Sequence, residues 1–365
     1  MNKLLLALLL FLLSFSWIKV TASDSCPASF PWKAQWINTE RCQSATNTWL
    51  IYRKSFAVTN VPNQLIARIA ADSKYWLWIN DQLVIFEGGL KRGPSPSGTY
   101  YDPVDIAPYL TKGSNTIAIL LWHFGKDGFS HINSGKAALL FEAIAPGLEI
   151  VSDASWQCAL YEAYQNTEAP FPNYRMPESN IRFDARQAIT NWNRTSFEGS
   201  LPGAVCVGKA GKAPFGDLVE RPIPQWKNSG LLSYVSVRES LRGDTLFCRL
   251  PYNAQITPYL KVEAEAGKTI HIRMDNYEGG SERNVRAEYI TREGEQEYES
   301  YGWMNGHEVY YIIPEGVKVL DVKYRETGYN TDLAGSFHCD DPFYDELWQR
   351  SARTLYITMR DNYMD

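Results

Sequence analysis

The chain has 365 residues, 45% of them hydrophobic and 21% charged, and a formal net charge of −5. Length at ~150 residues per domain gives two or three domains. The apolar fraction excludes wholesale disorder, and a mild negative charge without basic clusters argues against nucleic acid as a partner. Twelve Trp, 22 Tyr and 15 Phe lean towards β-rich domains. Such rings are mostly core, although sugar rings also stack on aromatic faces.

Residues 1–22 read as a secretory signal peptide. Lys3 supplies the positive end, residues 4–15 are apolar apart from Ser14, and Val20-Thr21-Ala22 offers a small-residue cleavage site after Ala22. The apolar run is short for a membrane span, which takes ~20 residues, and no later stretch is long enough. The mature chain is therefore expected to be secreted or periplasmic, with no membrane span, in a compartment where cysteines can pair. Six Cys (26, 42, 158, 206, 248 and 339) lie at wide, irregular spacing without Cys-x-x-Cys, so no metal site is expected. Proximity favours Cys26 with Cys42. Asn193-Arg194-Thr195 is a glycosylation sequon.

From Trp32 to Ile150 the pattern is one short strand after another. Residues 49–58 and 65–71 are β-rich. Residues 75–79 and 82–86 flank Asn80-Asp81, a hairpin signal because both residues tolerate positive φ. Residues 88–98 (GGLKRGPSPSG) form a surface loop, residues 102–110 a short turn, and residues 115–122 another strand. This rhythm predicts a β-sandwich or jelly roll. Residues 158–225 are rich in Pro, Asn, Gly and Tyr and read as a loop-rich extension of it. Arg221-Pro222-Ile223-Pro224 favours extended chain and marks a boundary.

A second β region spans 226–336. Residues 258–264 and 269–274 are strands, residues 285–291 and 296–302 read as a hairpin around Gly294, and residues 309–313 and 317–325 complete a second sandwich. Glu293, Glu295, Glu297 and Glu299 recur every second residue, which puts all four on one strand face, read here as solvated. Asp341-Pro342 is an N-cap followed by Pro at the first helical position. Tyr344, Leu347, Trp348, Ala352, Leu355 and Met359 then follow helical spacing, predicting an amphipathic helix of about twenty residues. Its apolar stripe has no following helix to pack on, so fraying or self-association is expected.

Three stretches carry a family resemblance. The first is Trp36-Ile37 with the strands running to Tyr101-Asp102-Pro103-Val104-Asp105-Ile106-Ala107-Pro108-Tyr109-Leu110 and Gly113-Ser114-Asn115. The second runs from Val285-Arg286-Ala287-Glu288-Tyr289 through Gly302-Trp303-Met304-Asn305-Gly306-His307-Glu308-Val309. The third is Leu347-Trp348-Gln349-Arg350-Ser351-Ala352-Arg353-Thr354-Leu355, closing on Arg360-Asp361-Asn362-Tyr363-Met364-Asp365. With these the chain resembles the N-terminal half of bacterial α-L-rhamnosidases, large multidomain inverting glycoside hydrolases. The resemblance implies two jelly-roll-like β-sandwich domains (27–225, with its extension 158–225, and 226–336). After them, residues 340–365 would be the first helix of a truncated (α/α)6 catalytic barrel.

Asp365 matches the first aspartate of the family's active-site run, which helps bind rhamnose. In the family Cys-Pro and the general acid follow that aspartate. The acid, the base and nearly all of the barrel thus fall outside these 365 residues, and the chain is expected to be inactive alone, with no cofactor. Inverting hydrolysis needs two carboxyl groups roughly 6.5–9.5 Å apart, and no self-contained constellation of that kind is visible. Asp72, Asp81, Asp102 and Asp105 read as turn residues, and His123, His131 and His307 are scattered. A rhamnose-containing glycan is the expected ligand and the missing barrel an expected partner. Alternatives are a free-standing carbohydrate-binding protein, using Trp76 or Trp122 as a sugar platform, and a scaffold for a separately encoded barrel. Core burial is the competing reading of both rings.

Overall fold

A computed structural model describes residues 31–90, 93, 98–127, 131–167, 181–275 and 286–361. Every described element belongs to the unit Lys33–Asp365. The signal-peptide residues, Cys26 and hence the Cys26–Cys42 pairing lie outside the described residues. Cys42, Cys158, Cys206, Cys248 and Cys339 are free thiols. No described helix is long and apolar enough to cross a membrane.

The first ten strands are β1 (Gln35–Asn38), β2 (Thr48–Val58), β3 (Ile66–Asp72), β4 (Lys74–Ile79), β5 (Gln82–Gly88), β6 (Thr99–Asp105), β7 (Gly113–His123), β8 (Ala138–Ala145), β9 (Leu148–Val151) and β10 (Gln157–Leu160). Four more follow in the stretch expected to be loop-rich: β11 (Tyr164–Asn166), β12 (Ile181–Asp184), β13 (Val205–Lys209) and β14 (Leu218–Glu220). Two sheets form the first sandwich. One runs β13-β1-β8-β3-β6-β14, with β9 on β8, and the other β10-β2-β7-β4-β5. The β4–β5 hairpin turns on Asn80 and Asp81 at φ 48° and 70°, as their tolerance of the left-handed region predicts. Leu50, Tyr52, Tyr75, Leu77, Ile119 and Leu121 from the five-stranded sheet meet Ile37, Ile69, Leu139 and Phe141 from the other in the core.

The five-stranded sheet is buried on its outer face too. Trp49, Trp76, Trp78 and Trp122 lie there under Tyr161, Tyr164, Phe183, Trp192 and Tyr301. Because both faces are covered, β4 is buried along its whole length instead of alternating. The stretch 158–225 supplies part of that cover. Its β11 and β12 belong to the second sheet system, β12 running parallel to a later strand, while β13 and β14 return to the first sandwich.

The second β region contains β15 (Leu231–Leu232), β16 (Ser236–Glu239), β17 (Thr245–Ala264), β18 (Thr269–Met274), β19 (Ala287–Ile290), β20 (Gly294–Glu299), β21 (Met304–Ile312) and β22 (Val317–Glu326). These join β11 and β12 in one ten-stranded sheet. β17, 20 residues long, folds that sheet into two layers. Its first half pairs with β16 and β21, its second half with β20 and β22. The expected hairpin of 285–291 with 296–302 does not form. β19 pairs with β18 and β12, and β20 with β17. The two strands occupy opposite layers, so their buried rings Tyr289 and Tyr298 stack across the core, with centroids 4.6 Å apart. The helix α1 (Pro342–Ile357) follows β22.

Candidate functional site

α1 starts as its sequence dictates. Asp341 is the N-cap, its carboxylate accepting from the Phe343 amide, and Pro342 is the first helical residue. It spans 16 residues, fewer than the twenty expected from the stripe. The difference arises at Thr358, whose hydroxyl donates to the Leu355 carbonyl, and at Gln255 of β17, whose amide donates to the Ile357 carbonyl at 2.6 Å. These side chains satisfy carbonyls that a longer helix would have used. The apolar stripe is only partly covered, with Trp348, Ala352 and Met359 half-buried. Tyr344, Leu347 and Leu355 are 51%, 48% and 47% exposed. The helix is held at its C-terminal end instead. Tyr356 is buried there, and Arg353 lies 3.9 Å over the Tyr252 ring while donating to the Asn253 carbonyl at 2.6 Å. That clamp ties the last turn of the helix to β17.

Three residues past the helix, Arg360 enters a buried polar cluster. Its guanidinium lies between the rings of Trp226 and Trp303, 4.5 and 4.8 Å from their centroids. It donates to Gln255 Oε1 at 2.8 Å and to Glu87 Oε1 on β5. Lys74 Nζ on neighbouring β4 lies 2.7 Å from the same Glu87 oxygen. A second carboxylate, Asp102 on β6, lies beside the same hairpin. It accepts from the Tyr75 hydroxyl at 2.7 Å, the Gly89 amide at 2.8 Å and Arg221 Nη1 at 3.2 Å. Arg221 in turn lies 4.7 Å over Trp226. Gly88 has to be glycine here, because a Cβ would sit 2.1 Å from the Tyr75 ring. Asp102 is therefore a buried ion-pair acceptor and not the turn residue expected. Lys74, Glu87 and Arg360 were missed as site residues. The available signal was a lysine heading the apolar run of β4 and an acid directly before Gly88-Gly89.

Other nominated side chains are dispersed. Asp72, also expected in a turn, is buried and accepts from His123 Nδ1 (3.0 Å), Ser73 Oγ (2.9 Å) and the Ser134 amide (2.6 Å). Burial alone would raise its carboxyl, but the His123 hydrogen bond and charge and the Ser134 amide outweigh it and hold the group below the ordinary carboxylate range. Asp81 sits in the β4–β5 turn but its carboxylate binds the distant Thr195, whereas Asp105 accepts from the local Ala107 amide and from the Leu65 amide. The hydroxyl of the sequon residue Thr195 is thus engaged. Glu295, Glu297 and Glu299 share one face of β20. They pair with Lys261, the Tyr259 hydroxyl and Arg325.

Among the described residues no group of three or more His, Cys, Asp or Glu is placed to hold a metal ion. Trp76 and Trp122 are 0% and 1% exposed. Trp76 stacks on Trp49 and Tyr301, and Trp122 on Trp49, so neither offers a free ring face to a sugar. Both are core of the layer between the sandwiches, which corrects their nomination as a platform. Asp365 lies outside the described residues, five positions beyond Arg360. The cluster ties the segment after α1 to the β4–β5 hairpin and to β17.

No protein-family model and no curated protein sequence matches the chain. Solved structures do share its fold. The GH78 family rhamnosidase of Bacillus sp. GL1 superposes with a TM-score of 0.80 at 17% identity, over 92% of this chain and 59% of its own. The α-L-rhamnosidase of Dictyoglomus thermophilum gives 0.69 at 20%, over 92% and 40%. That of Streptomyces avermitilis, solved with L-rhamnose, gives 0.65 at 16%, over 88% and 32%. The chain thus spans between a third and three fifths of these proteins while nearly all of it is matched.

Proposed function

We propose that this chain is the N-terminal, non-catalytic portion of a secreted α-L-rhamnosidase-type glycoside hydrolase. In this reading α1 opens the catalytic barrel and Asp365 is a sugar-binding carboxylate. The parent reaction is inverting hydrolysis of terminal α-L-rhamnosyl linkages, and the ligand a rhamnose-containing glycan. The supporting observation is the shared fold with the Bacillus enzyme over 92% of this chain. The three sequence stretches add to it in the same order. Within the described residues the buried carboxylates serve the fold, which suits a portion that braces a catalytic domain. The free-standing carbohydrate-binding reading loses support from Trp76 and Trp122, whose rings are covered.

The test is hydrolysis of p-nitrophenyl α-L-rhamnopyranoside by the purified 365-residue chain, alongside the coding sequence that follows Asp365. We expect no turnover above buffer, and Cys-Pro with further acidic residues after Asp365. Turnover by the chain alone overturns the non-catalytic reading, and a downstream sequence without those residues overturns the barrel reading.

A further inference from the structure

The two outer faces of the second sandwich carry charge differently. On the layer of β20, β22 and the second half of β17, exposed charges are paired: Lys261 with Glu295, Lys318 with Glu263 and Lys323 with Asp321. The layer of β16, the first half of β17, β21 and β18 carries a transverse row instead. Register places Arg238, Phe247, Tyr310 and Arg273 side by side on these four neighbouring strands. The residues next to them along the strands, Cys248, Val309, Tyr311 and Ile272, lie in the core, so the row is on the outer face. The Arg238 guanidinium lies 5.2 Å over the Phe247 ring and that of Arg273 5.5 Å over the Tyr310 ring. The two rings meet edge to face at 5.2 Å. A guanidinium carried on a ring keeps its in-plane N–H donors for an acceptor.

The carboxylates of this face are already engaged. Glu288 holds Arg182 and Arg286 at 2.7 Å each, and Asp275 accepts from the His307 and Glu308 amides. Glu308 approaches Arg238 at 3.5 Å, with the Arg238 side chain 64% exposed. Arg249, exposed and opposite Glu308 in the register, forms no ion pair among the described residues, nor does Arg273. In a chain of net charge −5 this row is a positive spot. Three strand spacings, about 14 Å, separate the backbones of Arg238 and Arg273, which suits a short oligosaccharide better than a single sugar.

We propose that this face binds a carboxylated glycan, Arg238 and Arg273 each donating to one uronate carboxylate and Arg249 adding its charge. The choice of a glycan rests on the reading of the chain as part of a glycoside hydrolase. The negative charge that the ligand must carry follows from the arginines alone. An acidic peptide adding a strand at a sheet edge would make no use of a row that crosses the strands.

The 365-residue chain is titrated by calorimetry with trigalacturonate, its fully methyl-esterified form and hexaglutamate. Wild type is compared with Arg238→Gln, Arg273→Gln and, on the opposite layer, Lys261→Gln. We expect wild type to bind trigalacturonate, and each arginine substitution to weaken binding about tenfold, as for one charge-assisted hydrogen bond. The methyl ester should bind still more weakly, and Lys261→Gln should bind as wild type does. Thermal midpoints of all variants should match, since these side chains are at the surface. No binding by wild type overturns the proposal and leaves the glycoside hydrolase reading, which the sequence after Asp365 tests, where it stands. Unchanged binding in both arginine variants, or an equal loss in Lys261→Gln, removes the row as the site. Equal binding of the methyl ester removes the carboxylate contacts, and tighter binding of hexaglutamate replaces the glycan by an acidic peptide; either overturns the proposal.

Discussion

Asp72 and Asp102 illustrate how far a single side chain's role depends on what lies across from it. Both looked like loop aspartates, since they stand beside small and turn-forming residues. Each is instead buried at the end of a strand or beside a hairpin, with donors that come from up to 119 positions away. A buried carboxylate without such donors would be costly, so the donors, not the local sequence, determine its state. For Asp72 this has a pH consequence. Its folded carboxyl titrates below the unfolded one, whose ordinary value is about 3.9. Its contribution to stability is therefore complete above that range and is lost as pH falls through the folded value. In urea unfolding between pH 6 and pH 3, we expect Asp72→Asn to be less stable than wild type at pH 6. We also expect its stability to fall less steeply towards pH 3. Parallel pH profiles would remove His123 and Ser134 as the source of that stability.

The helix shows the same dependence at the scale of an element. Its start is local chemistry, because Asp341 and Pro342 cap and initiate it from within four residues. Its end is tertiary, because Gln255 and the Asn253 carbonyl, both on β17, engage Ile357 and Arg353 at the last turn. The stripe of Tyr344, Leu347 and Leu355 predicted the helix, and these three residues stay exposed, as a stripe without a partner would. Periodicity reports that a helix has an apolar side; it does not report which partner is present to cover it. Leu347→Lys is accordingly expected to change the stability of this chain by no more than about 0.5 kcal/mol. Tyr356→Ala, which empties the buried side, is expected to cost about 2–4 kcal/mol, within the range for large buried side chains. Guanidinium unfolding of the two variants checks this, and a larger loss in Leu347→Lys would mean that the stripe is covered.

At the scale of the whole molecule, the aromatic excess finds its place between the two sandwiches. Trp49, Trp76, Trp78 and Trp122 on one sheet meet Tyr161, Tyr164, Phe183, Trp192 and Tyr301 from the extension and the second region. Trp76→Ala is expected to cost about 3–5 kcal/mol and to lower the thermal midpoint in a single transition, since the cavity opens between both sandwiches. Two separated transitions in calorimetry would mean that the layers unfold independently.

Much of this architecture was readable in advance. Short strands, the Asn80-Asp81 hairpin, alternating carboxylates on β20 and the capped helix all follow from steric and periodic rules acting over a few residues. What was not readable lies elsewhere: β11 and β12 joining the second sheet, β19 and β20 parting into opposite layers, Trp76 covered by Tyr301, and Arg360 pairing with Glu87. Each depends on residues tens to hundreds of positions apart. The sequence by itself determined the class of fold, because backbone preference and side-chain period are local properties. Only the tertiary structure decided which faces are covered and which charges are paired, because those are properties of whatever the folded chain brings opposite.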